Sequence, residues 1–181
     1  GPVLVPGATG GVGSLAIDML ARLGYHVVAL TGKASEADYL RQLGAAEILL
    51  RNDLDLGKVR PLERGRWAGA VDNLGGDYLA WVASAMLQGG TIASVGLAAG
   101  MNLNTTVAPF ILRGASLLGI DSGYIGEPYR RGIWQRLATD LRPPHLAAMT
   151  RRIAFADLPD AFGEFIAGRA KGRVVVEIGG E

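Results

Sequence analysis

Cysteine is absent from the 181 residues, and histidine occurs only twice, at positions 26 and 145. The first absence excludes disulfides and thiolate-based zinc sites within this chain. It also accords with a reducing compartment, so the expected location is the cytoplasm. Net charge is nearly absent too: 18 Lys and Arg face 17 Asp and Glu, leaving +1. Nothing global then points to nucleic acid or to a membrane surface as partner. No apolar run approaches the roughly 20 residues of a membrane span, and no charged-then-apolar leader is visible.

What the chain has in quantity is glycine, 27 residues, within a 49% hydrophobic composition that suits one substantial core of α/β type. The most informative stretch is Val3-Leu4-Val5-Pro6-Gly7-Ala8-Thr9-Gly10-Gly11-Val12-Gly13-Ser14. A short apolar run enters a glycine-rich turn, and an amphipathic run follows through Leu15, Ala16, Met19, Leu20 and Leu23. That is the strand–turn–helix that cradles a dinucleotide pyrophosphate, with Ala8 at the first position of the glycine fingerprint, Gly10 at the second and Gly13 at the third. Gly10 lets the backbone approach the phosphates, and the helix N-terminus offers free N–H groups to the anion. The bland alternative is a tight βα turn. Pro6 lacks a donor in what should be a central strand, which puts the last hydrogen bond of its ladder in doubt.

The next strand, Val27 to Leu30, is continuously apolar, as in a parallel sheet covered on both faces. An NAD site carries an acidic residue about 20 positions beyond the glycines, to hold the ribose 2′-hydroxyl. Here Thr31-Gly32-Lys33 follows instead. An acid would repel a 2′-phosphate, whereas a hydroxyl, a backbone N–H and an ammonium would hold it. The expected cofactor is therefore NADP(H), the alternative for Lys33 being a solvated loop lysine.

Strand and helix alternate to about residue 120, which predicts a Rossmann-type doubly wound parallel sheet. Ser35 is expected to cap a helix through Leu43, and Glu47–Leu50 to form a third strand. A polar loop spans 51–66. A fourth strand is expected over 68–73, a helix over 78–87, strands over 91–95 and 115–120, and a helix over 127–141 stopped by Pro143-Pro144. Beyond the prolines, 153–155, 157–167 and 173–178 read as a small C-terminal β–α–β appendix. Its apolar last strand is too poorly covered to stand alone. Arg113, Arg130, Arg131, Arg136, Arg142, Arg151 and Arg152 outnumber three acids between 113 and 152. This excess would suit the phosphates of coenzyme A, or simply be a solvated face. Neither histidine stands out as catalytic.

With these residues placed, the chain resembles the C-terminal part of a zinc-independent medium-chain dehydrogenase/reductase, in particular the acrylyl-CoA reductase and NADPH quinone oxidoreductase group. The resemblance covers nearly the whole chain and rests on GATGGVGS at 7–14, TGKASEADYLRQLGA at 31–45, WAGAVDNLGG at 67–76, TTVAPFILRGASLLGIDS at 105–122 and KGRVVVEI at 171–178. It implies that 1–140 is the NADP-binding domain and that 141–181 returns to a GroES-like catalytic lobe not contained here. It further implies pyrophosphate contacts from Ala8, Thr9, Gly10, Gly11, Val12 and Gly13, and 2′-phosphate contacts from Thr31, Gly32 and Lys33. Arg51 would border the adenine, Asn73 and Leu74 lie at the strand end where such a sheet holds a ligand, Leu97 and Ile111 would line the nicotinamide end, and Ser122 would contact the cofactor near the domain junction. Leu97 and Ile111 could equally be core, and Asn73 a strand-end cap. The implied reaction is NADPH-dependent reduction of the activated C=C bond of a small enoyl thioester such as acrylyl-CoA. No metal is required and no catalytic residue is assigned, so the 181 residues alone are expected to be inactive. Reduction of a quinone or enone, and nucleotide sensing without turnover, are the alternatives. The strand near 115–120 is the expected edge of a homodimer, with association through the 173–178 strand as the competing outcome.

Overall fold

The computed structural model describes residues 1–179. Six parallel strands form one sheet in the order β3-β2-β1-β4-β5-β6: β1 Val3–Pro6, β2 Val27–Thr31, β3 Glu47–Leu50, β4 Trp67–Asp72, β5 Met86–Ser94 and β6 Ser116–Gly119. Helices α1 Gly11–Arg22, α2 Ala37–Gln42, α3 Gly76–Ser84 and α4 Ala108–Arg113 lie in the crossovers between strands, and α5 Glu127–Ala138 follows β6. The doubly wound sheet expected from the alternating pattern is what forms.

Side-chain alternation along the strands divides the core in two. Leu4, Val28 and Leu30 pack with Trp81, Val82, Met86 and Ile92 on one face. Val5, Val27 and Ala29 pack with Ile17, Leu40 and Leu43 on the other. Both β1 and β2 are buried along their whole length, as their unbroken apolar runs require. The Arg113 guanidinium closes the α3–β5 corner by donating to the carbonyls of Ser84 and Met86, both at 2.8 Å, and to that of Glu63.

Several boundaries differ from expectation. Ser35 caps nothing, because it lies inside a 3₁₀ turn, Ala34–Glu36, that leads into α2. Helix α3 begins and ends earlier than expected, and β5 starts at Met86 rather than after Gly89-Gly90. The glycine pair that reads as a turn is absorbed within β5, where its register with β4 shifts. Pro6 is tolerated for a specific reason. Val3 N–H bonds to His26 on the β2 side, so by alternation Pro6 faces β4. The β1–β4 ladder already ends at Leu4↔Ala70, so no donor is missed there.

The appendix is a separate two-stranded parallel sheet, β7 Thr150–Ala154 and β8 Arg173–Glu177, joined through α6 Leu158–Ile166. It leaves Phe155, Phe162, Phe165 and Ile166 exposed. Among the contacts that moor it to the first unit are two near its start. Met149 is buried in the core beside α1 and α2. The buried Asp18 carboxylate accepts from the His145 backbone at 3.0 Å and pairs with its ring Nδ1 at 2.7 Å. Among the described residues, no helix is long and apolar enough to cross a membrane.

Candidate cofactor site

Strand order reverses between β1 and β4, and such a reversal opens a crevice at the carboxyl ends of the strands. A cleft of about 520 Å³ occupies this position. Its floor is the loop from Gly7 to Gly13. The Gly10 N–H bonds back to the Gly7 carbonyl at 3.0 Å, and α1 starts at once, leaving its first N–H groups without helical acceptors. A side chain at Gly13 would collide with the Gly7 carbonyl, so only glycine allows the helix to approach the strand here.

One wall comes from the end of β4. Asn73 Nδ2 donates to the Pro6 carbonyl at 2.8 Å and thereby ties the fork between β1 and β4. The fully buried Asp72 carboxylate accepts from the N–H groups of Leu74 (3.1 Å) and Gly75 (3.2 Å), which shapes the turn behind it. Burial pushes the Asp72 carboxyl above its ordinary range, against the opposing effect of those donors.

The other wall is cationic. Thr31 is buried and its Oγ1 accepts from the Lys33 N–H at 3.0 Å. Burial holds the Lys33 ammonium below the ordinary lysine range; Glu36 acts to raise it and Lys171 to lower it further. Arg51 packs beside Gly32. The third cation is Arg173, whose guanidinium lies directly over Gly11, where any side chain would displace it. Lys33, Arg51 and Arg173 line the cleft, and among the described residues no acidic one does. The arrangement suits a ligand carrying several negative charges along its length.

Of the residues expected from the sequence, Thr9, Gly10, Gly11, Val12, Gly13, Thr31, Gly32, Lys33, Arg51, Asn73 and Leu74 all line the cleft. Ala8 lies beneath it, fully buried, with its carbonyl accepting from Ser14. Leu97, Ile111 and Ser122 do not line it. Leu97 and Ile111 are 61% and 73% exposed, so neither belongs to the core or to this cleft, and Ser122 is likewise exposed. Leu97 sits between Gly96 and Ala98, which do line the cleft, whereas Ile111 lies on α4 and Ser122 beyond β6. The lining residues that sequence reasoning missed are Gly7 and Leu30 beside the expected ones, Val95, Gly96 and Ala98 beyond β5, and Gly168, Ala170 and Arg173 of the appendix. The end of β5 was a legible place to look, since it adjoins the reversal; the appendix gave no local signal.

The arginine excess between 113 and 152 does not form a free basic surface. Arg113 is spent on backbone carbonyls, and Arg131, Arg136, Arg151 and Arg152 pair with Glu127, Asp140, Glu164 and Glu177. Two of those acids, Glu164 and Glu177, lie outside the counted window. Both histidines have structural partners, His26 with Glu47 at 2.8 Å and His145 with Asp18. Among the described residues, no group of three or more metal-ligating side chains is assembled.

The zinc-binding dehydrogenase family matches residues 11–139. The acrylyl-CoA reductase AcuI of Ruegeria pomeroyi is 49% identical over 98% of this chain, which spans 54% of that protein. The Bacillus subtilis protein named "Putative quinone oxidoreductase YhfP" is 45% identical over 98% of the chain, again spanning 54% of the relative. The chain thus spans about half the length of the curated relatives it matches. Among solved structures, the YhdH oxidoreductase of Salmonella enterica in complex with NADP superposes with a TM-score of 0.94 at 43% identity, over 99% of this chain and 55% of the other. Bacillus subtilis YhfP with NAD bound gives 0.93 at 45% identity, over 98% and 54%. With its reversed-order parallel sheet, glycine loop and cationic cleft, this chain belongs to the zinc-binding dehydrogenase family, in the medium-chain dehydrogenase/reductase group that includes the acrylyl-CoA reductases.

Proposed function

We propose that this chain is the cofactor-binding unit of an NADPH-dependent oxidoreductase that reduces the activated C=C bond of a small enoyl thioester such as acrylyl-CoA. The observation that carries the cofactor reading is the cleft wall, with Lys33, Arg51 and Arg173 facing the glycine loop and no acid among the described lining residues. The NADP in the Salmonella relative supports it, and the name of the Ruegeria relative supports the substrate class.

In this reading the loop from Thr9 to Gly13 holds the pyrophosphate on the N-terminus of α1, and Thr31, Gly32 and Lys33 hold the 2′-phosphate. Asn73 and Leu74, beside Gly96 and Ala98, border the nicotinamide half. When bound, NADPH supplies the hydride for the β-carbon of the alkene. The chain's own residues orient that half of the cofactor at the carboxyl ends of β4 and β5. Residues 1–140 are the cofactor domain. The exposed apolar side chains of α6 and the open edges of the β7–β8 sheet support the assignment of 141–181 to a second lobe, which would supply groups around the thioester. The 181 residues alone would bind cofactor without turnover. The enzyme would act in the cytoplasm as a homodimer joined through β6.

The pairing of the 113–152 arginines removes one support for coenzyme A, and the name of the Bacillus relative favours a quinone or enone acceptor as the second reading. NADPH oxidation by the whole protein, measured with acrylyl-CoA and with a simple quinone, separates them. Faster turnover of the thioester is expected. Turnover of the quinone alone would replace the substrate assignment, and turnover of neither would point to nucleotide sensing.

A further inference from the structure

Residues 168–172 form a strap that leaves α6 and enters β8, with Gly168 and Gly172 at positive φ, 67° and 58°, at its two ends. The strap is two-sided. Gly168 and Ala170 line the cofactor cleft, whereas Arg169 and Lys171 line a second, polar cavity beside Glu36, Arg151 and Glu164. On the cleft side the Ala170 carbonyl accepts from Lys33 Nζ at 2.5 Å. One residue on, Lys171 Nζ pairs with Glu36 at 3.0 Å and stands 4.8 Å above the Tyr39 ring. Tyr39 donates to Ser14 Oγ at 2.8 Å, and Ser14 donates to the carbonyl of Ala8 beneath the glycine loop. The strap is also pinned at its far end, where the Gly172 N–H bonds to the Thr9 carbonyl at 2.9 Å.

An ammonium has three donors, so the bond to Ala170 leaves two for an anion while fixing where they point. A long, flexible side chain that is already oriented loses less freedom on binding than one that is not. We propose that the Lys171–Glu36 pair is a specificity-determining latch. It holds the strap so that the Ala170 carbonyl aims Lys33 at the 2′-phosphate of the cofactor. Lys171 and Glu36 are positioning residues, and the inference rests on the reading of this cleft as an NADP(H) site.

The test exploits a difference in sign. If Glu36 were only a nearby charge, Glu36→Gln would remove a repulsion and tighten NADP⁺ binding. If Glu36 is half of a latch, the same change loosens the strap and weakens NADP⁺ binding, leaving NAD⁺ affinity unchanged. Equilibrium titration of the whole protein with both cofactors is expected to give a roughly twofold to fivefold fall in NADP⁺ preference, the range of a partly exposed ion pair. Lys171→Met is expected to give a similar fall, Lys171→Arg to preserve the preference, and the Glu36→Gln/Lys171→Met double variant to cost little more than either change alone. Unchanged or tighter NADP⁺ binding in Glu36→Gln, or additive losses in the double variant, overturns the latch. Lys33→Ala is the control. If it erases the preference while Glu36→Gln does nothing, only the latch fails; if it leaves the preference intact, the reading of the cleft fails with it.

Discussion

Arg173 lies with its guanidinium over Gly11, so the first residue of the last strand roofs the first turn of the first helix. Among the described residues, it has no ion-pair or hydrogen-bond partner for that guanidinium. A cation held above free helix N–H groups, in a cleft with no acid among the described lining residues, suits a pyrophosphate. Arg173→Met is expected to weaken NADP⁺ and NAD⁺ together by about tenfold, the scale of one charge-assisted hydrogen bond. Gly11→Ala, which displaces the guanidinium, should do the same. Calorimetric titration with each cofactor checks this; a loss confined to NADP⁺ would move Arg173 to the 2′-phosphate instead.

Lys33 should behave differently. In the proposed site its contact would be to the group that distinguishes the two cofactors, so Lys33→Ala is expected to cost NADP⁺ roughly tenfold to a hundredfold and to leave NAD⁺ unaltered. Equal losses for both would remove Lys33 from the 2′-phosphate.

The pH dependence of that preference follows from the state of Lys33. Burial lowers its pKa in the free protein, and a bound phosphate favours the charged form. The preference for NADP⁺ should therefore decline as pH rises toward the lysine range, earlier than for an exposed lysine. It should also weaken below about pH 6, where the 2′-phosphate dianion takes up a proton. Kd ratios measured across pH test both limbs, and a ratio that stays flat on the alkaline side would contradict the placement.

Asp18 holds the appendix to α1 through two bonds to His145 while fully buried. Asp18→Ala strands the His145 backbone donor and is expected to cost about 1–3 kcal/mol in urea unfolding. His145→Ala keeps the backbone bond and should cost less. Equal effects of the two changes would mean that the ring, not the backbone N–H, is the main anchor.

β6 is an edge strand in the sheet, and Leu118 and Ile120 beside that edge are about half exposed. Edge pairing with a second copy would extend the sheet across a two-fold axis. Leu118→Lys is expected to convert a dimer to a monomer by light scattering with an unchanged circular dichroism spectrum. A folded variant that stays dimeric would direct attention to β8.

What the sequence determined by itself is local. The apolar runs Val3–Val5 and Val27–Leu30 had to become buried parallel strands, because only a doubly covered sheet hides both faces of such a run. The spacing of Gly10 and Gly13 dictated a close turn into α1, and the absence of an acid after β2 identified the cationic wall at Lys33. Tertiary structure decided the rest. Arg173, Ala170 and the Asp18–His145 bond join segments far apart in the chain, and no periodicity or cap records which distant loop a strand will cross. Leu97, Ile111 and Ser122 are not among the lining residues of the cleft, since the way a segment's side chains face the crevice is set by packing rather than by local propensity. Gly89-Gly90 shows the converse: β4 pairs with Met86 before the pair and Thr91 after it, so the local turn survives only as an irregularity within β5, with Gly89 at positive φ.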